Sequence, residues 1–487
     1  MKAIQDVVHR KPWVGWLLFF ATAAVVFLIG LLAASIVERR SESVSMRALL
    51  QPIPEWEMRG EVWGRNFPRQ YETYARTAQT ESFGIEPFGS RILDYLDANP
   101  SLVVLWAGYA FSKDYNECRG HAYAVTDARA TLRTTTASPG VCWTCKSPDA
   151  PRLMAKLGGP AEFYKKTWVE LGPEITHPVG CRDCHDPATL ELTITRPALL
   201  EAFWRAGKDV ERATHQEMRT LVCAQCHVEY YFKKEGDYLA FPWDMGTAAE
   251  KIEAYYDSLE LADWTHGLSR APMLKAQHPD YELFLTGVHA QRNVACADCH
   301  MPYRSEGGVK FTDHHVRSPL HDIAGSCQVC HREKEQVLAQ SVTDRQDKIE
   351  ELKRLAEDAL VRAHAEAKAA WDRGAAEDAM RPILTLIRHA QWRWDFVASS
   401  NGVGFHSPLE CARVLGTAIE KAQAARLALA RLLASLGVAA EIAPPPVGYK
   451  AGAQAAIGLD MEKLRAEKEK LLEIIAEWDA TAAPVER

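Results

Sequence analysis

The chain has no surplus of positive charge: 57 lysines and arginines stand against 64 aspartates and glutamates, a net charge of -7 over 487 residues. Proteins that bind nucleic acid by neutralising phosphates need the opposite balance, so that class is excluded. No alternating run of apolar and polar residues of any length stands out, which argues against a β-sandwich or barrel. Isolated cysteines are scarce as well. Of twelve cysteines only Cys118 and Cys411 stand alone, and the other ten form five Cys-x-x-Cys pairs. Uncharged stretches are short, with one exception at residues 13–37, WVGWLLFFATAAVVFLIGLLAASIV. That run is long enough to cross a bilayer as a helix, and longer than the ~7–15-residue apolar core of a cleaved signal. Residues 1–40 are therefore expected to form an uncleaved membrane anchor. The basic residues Lys2, Arg10 and Lys11 before it, against Arg39 and Arg40 after it, bias its orientation only slightly.

Three further regions follow. Residues 41–70 read as a polar connector with several prolines. Residues 71–335 are rich in Gly, Pro, Cys and His and contain few long periodic runs. They are expected to fold as short helices and loops held together by something other than an extended apolar core. Residues 336–487 change character, with apolar residues at helical spacing and Glu-to-Lys pairs three or four apart. Helices are predicted over about 341–373 with Gly374 as a stop, over 377–398, over 408–436 and over 459–478, and Pro444-Pro445-Pro446 marks a break. The fold class expected is mainly α: a loop-rich part packed around prosthetic groups, followed by long C-terminal helices.

Four of the cysteine pairs are followed at once by histidine: Cys181-Arg182-Asp183-Cys184-His185, Cys223-Ala224-Gln225-Cys226-His227, Cys296-Ala297-Asp298-Cys299-His300 and Cys327-Gln328-Val329-Cys330-His331. A chain of this composition would hold on the order of 0.01 such motifs by chance. Two cysteines at this spacing reach the two vinyl groups of one porphyrin as thioethers, and the adjacent histidine swings beneath the iron. Zinc would need a second pair for each site and has no use for a histidine directly after each second cysteine. Disulfide frameworks belong to small secreted domains. Covalent haem explains both the motifs and the loop-rich middle of the chain.

The fifth pair, Cys142-Trp143-Thr144-Cys145-Lys146, ends in lysine. It reads either as a degenerate site or as a haem ligated by a neutral amine, which requires the metal and an apolar site to lower the lysine pKa. Thirteen histidines remain after the four proximal ones. Four bis-histidine haems need four of them, so the supply suffices without a distal ligand for the Lys146 site. An open iron face is where a small molecule binds and reacts.

At this point the chain resembles the pentahaem cytochrome c nitrite reductases, the ammonia-forming enzymes. Their hallmark is a Cys-x-x-Cys-Lys haem followed by four Cys-x-x-Cys-His haems in this order. The likeness runs from about residue 70 to 478 and includes RGHAYAVTDARATLRT, CWTCKSPD, CAQCHVEYYF, PMLKAQHP and RHAQWRWD. It implies five covalently attached haems c and a reduction of nitrite to ammonium by six electrons at the Lys146 haem. By the same resemblance Arg133, Tyr230 and His278 line the distal pocket. Distal ligands carry over as His121 for the Cys223/Cys226 haem, His314 for Cys181/Cys184, His289 for Cys327/Cys330 and His406 for Cys296/Cys299. His315 is a rival to His314. A structural calcium is implied at Glu229, the main-chain carbonyls of Tyr230 and Lys275, and the Gln277 side chain, a hard-oxygen set that suits this ion. The resemblance further implies a homodimer through the C-terminal helices and a quinol-oxidising multihaem cytochrome in the membrane as electron donor. The body is expected on the periplasmic side of the cytoplasmic membrane. Two departures stand out: the retained anchor, and Cys118, which matches no family ligand. Two rival readings remain open in the sequence: a related reductase acting mainly on hydroxylamine, nitric oxide or sulfite, and a pure electron-transfer cytochrome.

Overall fold

The computed structural model describes residues 9–45, 49–79, 93–117 and 119–481. Cys118 lies outside them. The apolar N-terminal run forms helix α1 (Pro12–Ser45). Its span Pro12–Glu38 is long and apolar enough to cross a membrane and buries none of its surface against the rest of the chain.

Long helices appear only near the C-terminus: α2 (Glu335–Asp372), α3 (Glu377–Ala398), α4 (Pro408–Ser435) and α5 (Met461–Thr481). Their limits follow local chemistry. α2 is laced by ion pairs one turn apart, such as Lys368–Asp372 at 2.6 Å, and ends before Gly374, whose φ of +78° favours glycine. α4 begins with Pro408, where the missing N–H costs nothing. Ala418, Ala422 and Ala425 on α4 are fully buried, so α2 and α3 approach its axis closely. One element escaped the pattern, a short helix at Lys450–Ala456 just after the proline break.

Residues 60–331 hold short helices, most under ten residues, and three two-stranded antiparallel hairpins: Tyr231–Lys233 with Tyr238–Ala240, Trp264–Thr265 with Pro272–Met273, and Tyr303–Glu306 with Val309–Thr312. The expectation that this region lacks an extended apolar core is corrected by the structure. One cluster packs Trp143, Phe163, Tyr164, Trp168, Leu199 and Phe241 together. Another joins Val103–Trp106 to the α2–α4 bundle. The helices carrying these residues are too short to show a period, so their apolar faces were invisible in the sequence. Leu471, Ile475 and Trp478 of α5 also enter the first cluster.

Inside the second cluster His266 and His364 stack with ring centroids 3.6 Å apart. Gln391 donates to the Leu105 carbonyl at 2.6 Å, which turns its amide oxygen toward the Nε2–H of His364 at 2.7 Å. Ser269 Oγ then donates to Nδ1 at 2.8 Å. Burial lowers the pKa of His364 to about 4, so the ring is neutral at physiological pH. A base depressed in the folded state stabilises above its ordinary value and loses that contribution as pH falls through the folded value. The melting temperature is therefore expected to drop between about pH 6.5 and 4. His364→Gln should cost ~1–3 kcal/mol of stability at neutral pH and flatten that drop. An unchanged pH profile in the variant would dismiss this account.

Candidate functional site

All ten paired cysteines line one continuous cavity of about 4710 Å³. Pockets for a single small ligand run to ~1,000 Å³, so this space is several-fold too large for one. The histidines are paired across it. His185 and His314 have ring centroids 6.2 Å apart, and the pairs His121–His227, His300–His406 and His289–His331 each lie at 6.3 Å. An imidazole nitrogen binds a first-row metal at ~2 Å and sits ~1.1 Å from its ring centroid, so rings on opposite faces of one ion stand roughly 6 Å apart. The donor set and the spacing fit haem iron. His227 also has His278 at 6.0 Å.

Hydrogen bonds orient these rings. The Nδ1–H groups of His185, His300 and His314 donate to the carbonyls of Leu190, Arg317 and Thr312 at 2.9, 2.9 and 2.7 Å. Each leaves Nε2 free to ligate, which is the usual arrangement for a metal-binding histidine. Between the sequence rivals, the ring facing His185 is that of His314. His266, His364 and His389 are engaged by protein partners instead, His389 through Asp257 at 2.6 Å.

The attachment loops are tied together by residues that the sequence reading passed over. Buried Arg196 donates from Nε to the Thr144 carbonyl at 2.9 Å and from Nη2 to the Ser147 carbonyl at 3.0 Å. It also pairs with Asp183 at 2.5 Å, bracing the Lys146 loop against the next motif. Gln225 in the third motif accepts from the amides of Thr195 and Arg196 and donates to the Asp183 carbonyl. Asp298 in the fourth pairs with buried Arg219 at 2.9 Å. Asp183, Gln225 and Asp298 each immediately precede the second cysteine, a polar position that could have signalled this bracing. Cys145 meets Cys226, and Cys223 meets Cys296, so the Lys146 site adjoins the third motif and the third adjoins the fourth.

Arg133, Tyr230 and His278 line the same cavity as Lys146. The Arg133 guanidinium lies over the Phe111 ring, with Cζ 4.3 Å from its centroid. Its Nε donates to Thr131 Oγ1 at 3.2 Å, and no carboxylate among the described residues pairs with it. His278 is half-buried, and its shielded Nδ1 has no hydrogen-bond partner among the described residues. Its pKa falls well below the ordinary value, first from burial and then from the charges of His227, Lys146, Lys275 and Arg133. Burial raises the Tyr230 hydroxyl well above its ordinary range, with Cys145 and Cys142 adding to the shift. Both groups keep their protons on the neutral form.

The expected calcium residues converge beside this pocket. Fully buried Glu229 accepts the Gln277 N–H at 2.6 Å through Oε2 and the Tyr256 hydroxyl at 2.9 Å through Oε1. Gln277 Nε2 donates to the Lys275 carbonyl at 3.1 Å, while the Lys275 ammonium turns away to Asp395 at 2.8 Å. Burial pushes the Glu229 carboxyl well above the usual carboxylate range. A buried carboxylate beside a carbonyl and an amide side chain fits a hard divalent cation, which would hold Glu229 ionised.

Cysteine pairs around one cavity, with histidines paired across it at metal spacing, define a multihaem c-type cytochrome. The chain belongs to the cytochrome c552 family, whose profile matches residues 59–484. It is 53% identical over 96% of each chain to cytochrome c-552 of Parabacteroides distasonis, and 52% identical at the same coverage to that of Porphyromonas gingivalis. Its fold resembles cytochrome c nitrite reductase from Desulfovibrio desulfuricans, a structure concerned with two calcium sites in the catalytic subunit. The TM-score is 0.74 at 31% identity, covering 85% of this chain and 91% of that one.

Proposed function

We propose that this chain reduces nitrite to ammonium by six electrons at a haem attached to Cys142 and Cys145 and ligated by Lys146. The observation that carries the reading is the contrast between sites. Four motif histidines face a second histidine at metal spacing, whereas Lys146 shares its part of the cavity with an arginine that no described carboxylate pairs with, a protonated tyrosine and a neutral histidine. When bound, the haem groups would supply redox centres, four held between paired histidines and one held by Lys146.

The protein's own groups do the rest. Arg133 is a permanent cation with no competing carboxylate among the described residues, so it draws a small anion into the pocket and orients it. His278 and Tyr230, both in their neutral forms, present hydrogen-bond donors where nitrogen–oxygen bonds break. The bracing of the Lys146 loop by Arg196 keeps these groups in register. His121, His314, His289 and His406 serve as distal ligands, and His185, His227, His300 and His331 as proximal ones, giving five haems in all. The reading predicts ammonium as the product of nitrite with a reduced dye, and an intact mass equal to the chain plus five haems. Recovery of a different nitrogen product, or only four haems, would refute it.

Glu229, Gln277 and the carbonyls of Tyr230 and Lys275 hold calcium in this proposal. Purified protein should contain stoichiometric calcium, and prolonged chelation should depress nitrite turnover. Metal analysis without calcium would dismiss the site. The remaining parts of the proposal are topological. Helix α1 anchors the protein, the body lies on the periplasmic side where c-type haem is attached, a quinol-oxidising multihaem cytochrome supplies electrons, and the C-terminal helices form a homodimer.

A further inference from the structure

Three of the haem-facing histidines hand their Nδ1–H to a main-chain carbonyl, whereas among the described residues His406 Nδ1 is buried with no hydrogen-bond partner and His227 Nδ1 is recorded only against a carboxylate 4.0 Å away. What stands beside both is one side chain. Asp280 is buried, with Oδ2 4.0 Å from His227 Nδ1 and Oδ1 3.7 Å from His406 Nδ1. Its Oδ1 accepts the Ser400 hydroxyl at 2.9 Å, which holds the carboxylate between the two rings. Asp280 Oδ2, on the His227 side, and His406 Nδ1 are both buried without a hydrogen-bond partner among the described residues. A bridging water or a small side-chain rotation would satisfy both.

We infer that Asp280 is a positioning residue shared by two haem sites, holding His227 of the Cys223/Cys226 site and His406 opposite His300 of the Cys296/Cys299 site through a single carboxylate. The inference rests on the ligand assignment given under the proposed function. A carboxylate behind a ligating imidazole fixes its orientation and makes it a stronger donor, which favours the oxidised metal and lowers the reduction potential. Here one charge acts on two adjacent centres. Their potentials are set together, and electrons pass between two sites tuned as a unit next to Lys146.

The test is a spectropotentiometric titration of the fully haem-loaded Asp280→Asn variant, followed by electron paramagnetic resonance of the low-spin signals. The amide keeps the shape and removes the charge. Exactly two of the bis-histidine components should titrate at higher potential with altered g values, the others should stay in place, and Asp280→Glu should return both toward the wild-type potentials. A shift in none, in one alone, or in all of them alike would overturn the inference. The wild-type titration separates the two levels of argument. If it lacks four bis-histidine components the ligand assignment fails, whereas four components that ignore the variant sink only the role of Asp280.

Discussion

Replacing Lys146 with histidine should leave every haem attached and yet cut ammonium formation from nitrite by about tenfold or more, at least ~1.4 kcal/mol of lost transition-state stabilisation. Attachment is governed by Cys142 and Cys145, which the substitution does not touch. What changes is the donor behind the iron. An amine on a flexible four-carbon stem gives one nitrogen lone pair and no ring, and it ligates only as the neutral form. Imidazole is planar and can be tuned through its second nitrogen, as at His185 and His300. In the proposed reading the variant would give the fifth site the same motif residue as the other four, still without a facing second histidine. Intact mass checks haem content, and the ratio of kcat/KM for nitrite in variant and wild type checks the effect. Equal turnover would show that the lysine has no special role.

Arg133→Ala should act chiefly on substrate capture. The guanidinium is held against Phe111 and pairs with no described carboxylate, so its charge is available to an incoming anion. Removing it should raise KM for nitrite by about tenfold or more and lower kcat, since the same cation orients the bound anion. Arg133→Lys should fall between, because a point charge replaces a planar fork. Added salt weakens attraction between separated charges, so kcat/KM of the wild type should decline with ionic strength more steeply than that of the alanine variant. Parallel salt dependences with unchanged KM would remove Arg133 from the pocket.

The two halves of the protein differed in how much of them could be read in advance. The C-terminal helices carry a 3.6-residue period over many turns and end at Gly374 or begin at Pro408, so sequence located them within a few residues. The attachment motifs were equally plain, since their spacing is fixed by the porphyrin. The distal histidines could be named only through the resemblance, not from the residues themselves. Thirteen rings are chemically alike until folding sets His121, His289, His314 and His406 opposite the motif histidines and gives His266 and His364 to each other. Nor could the sequence show the bracing by Arg196 and Arg219, because the partners of a buried guanidinium come from segments tens of residues away. Short helices hide apolar faces for a related reason: four to nine residues are too few to establish a repeat.

Trp143 sits between the two cysteines of the Lys146 motif and stacks on Trp168 at 4.5 Å, and Trp168 meets Trp478 of α5 at 5.6 Å. Gly172 leaves room for that last indole, since a Cβ there would lie 2.3 Å from its ring. The Lys146 motif is thus backed by an indole column whose last member comes from α5, so a change at Gly172 or Trp478 reaches Trp143 through stacked rings without touching the motif itself.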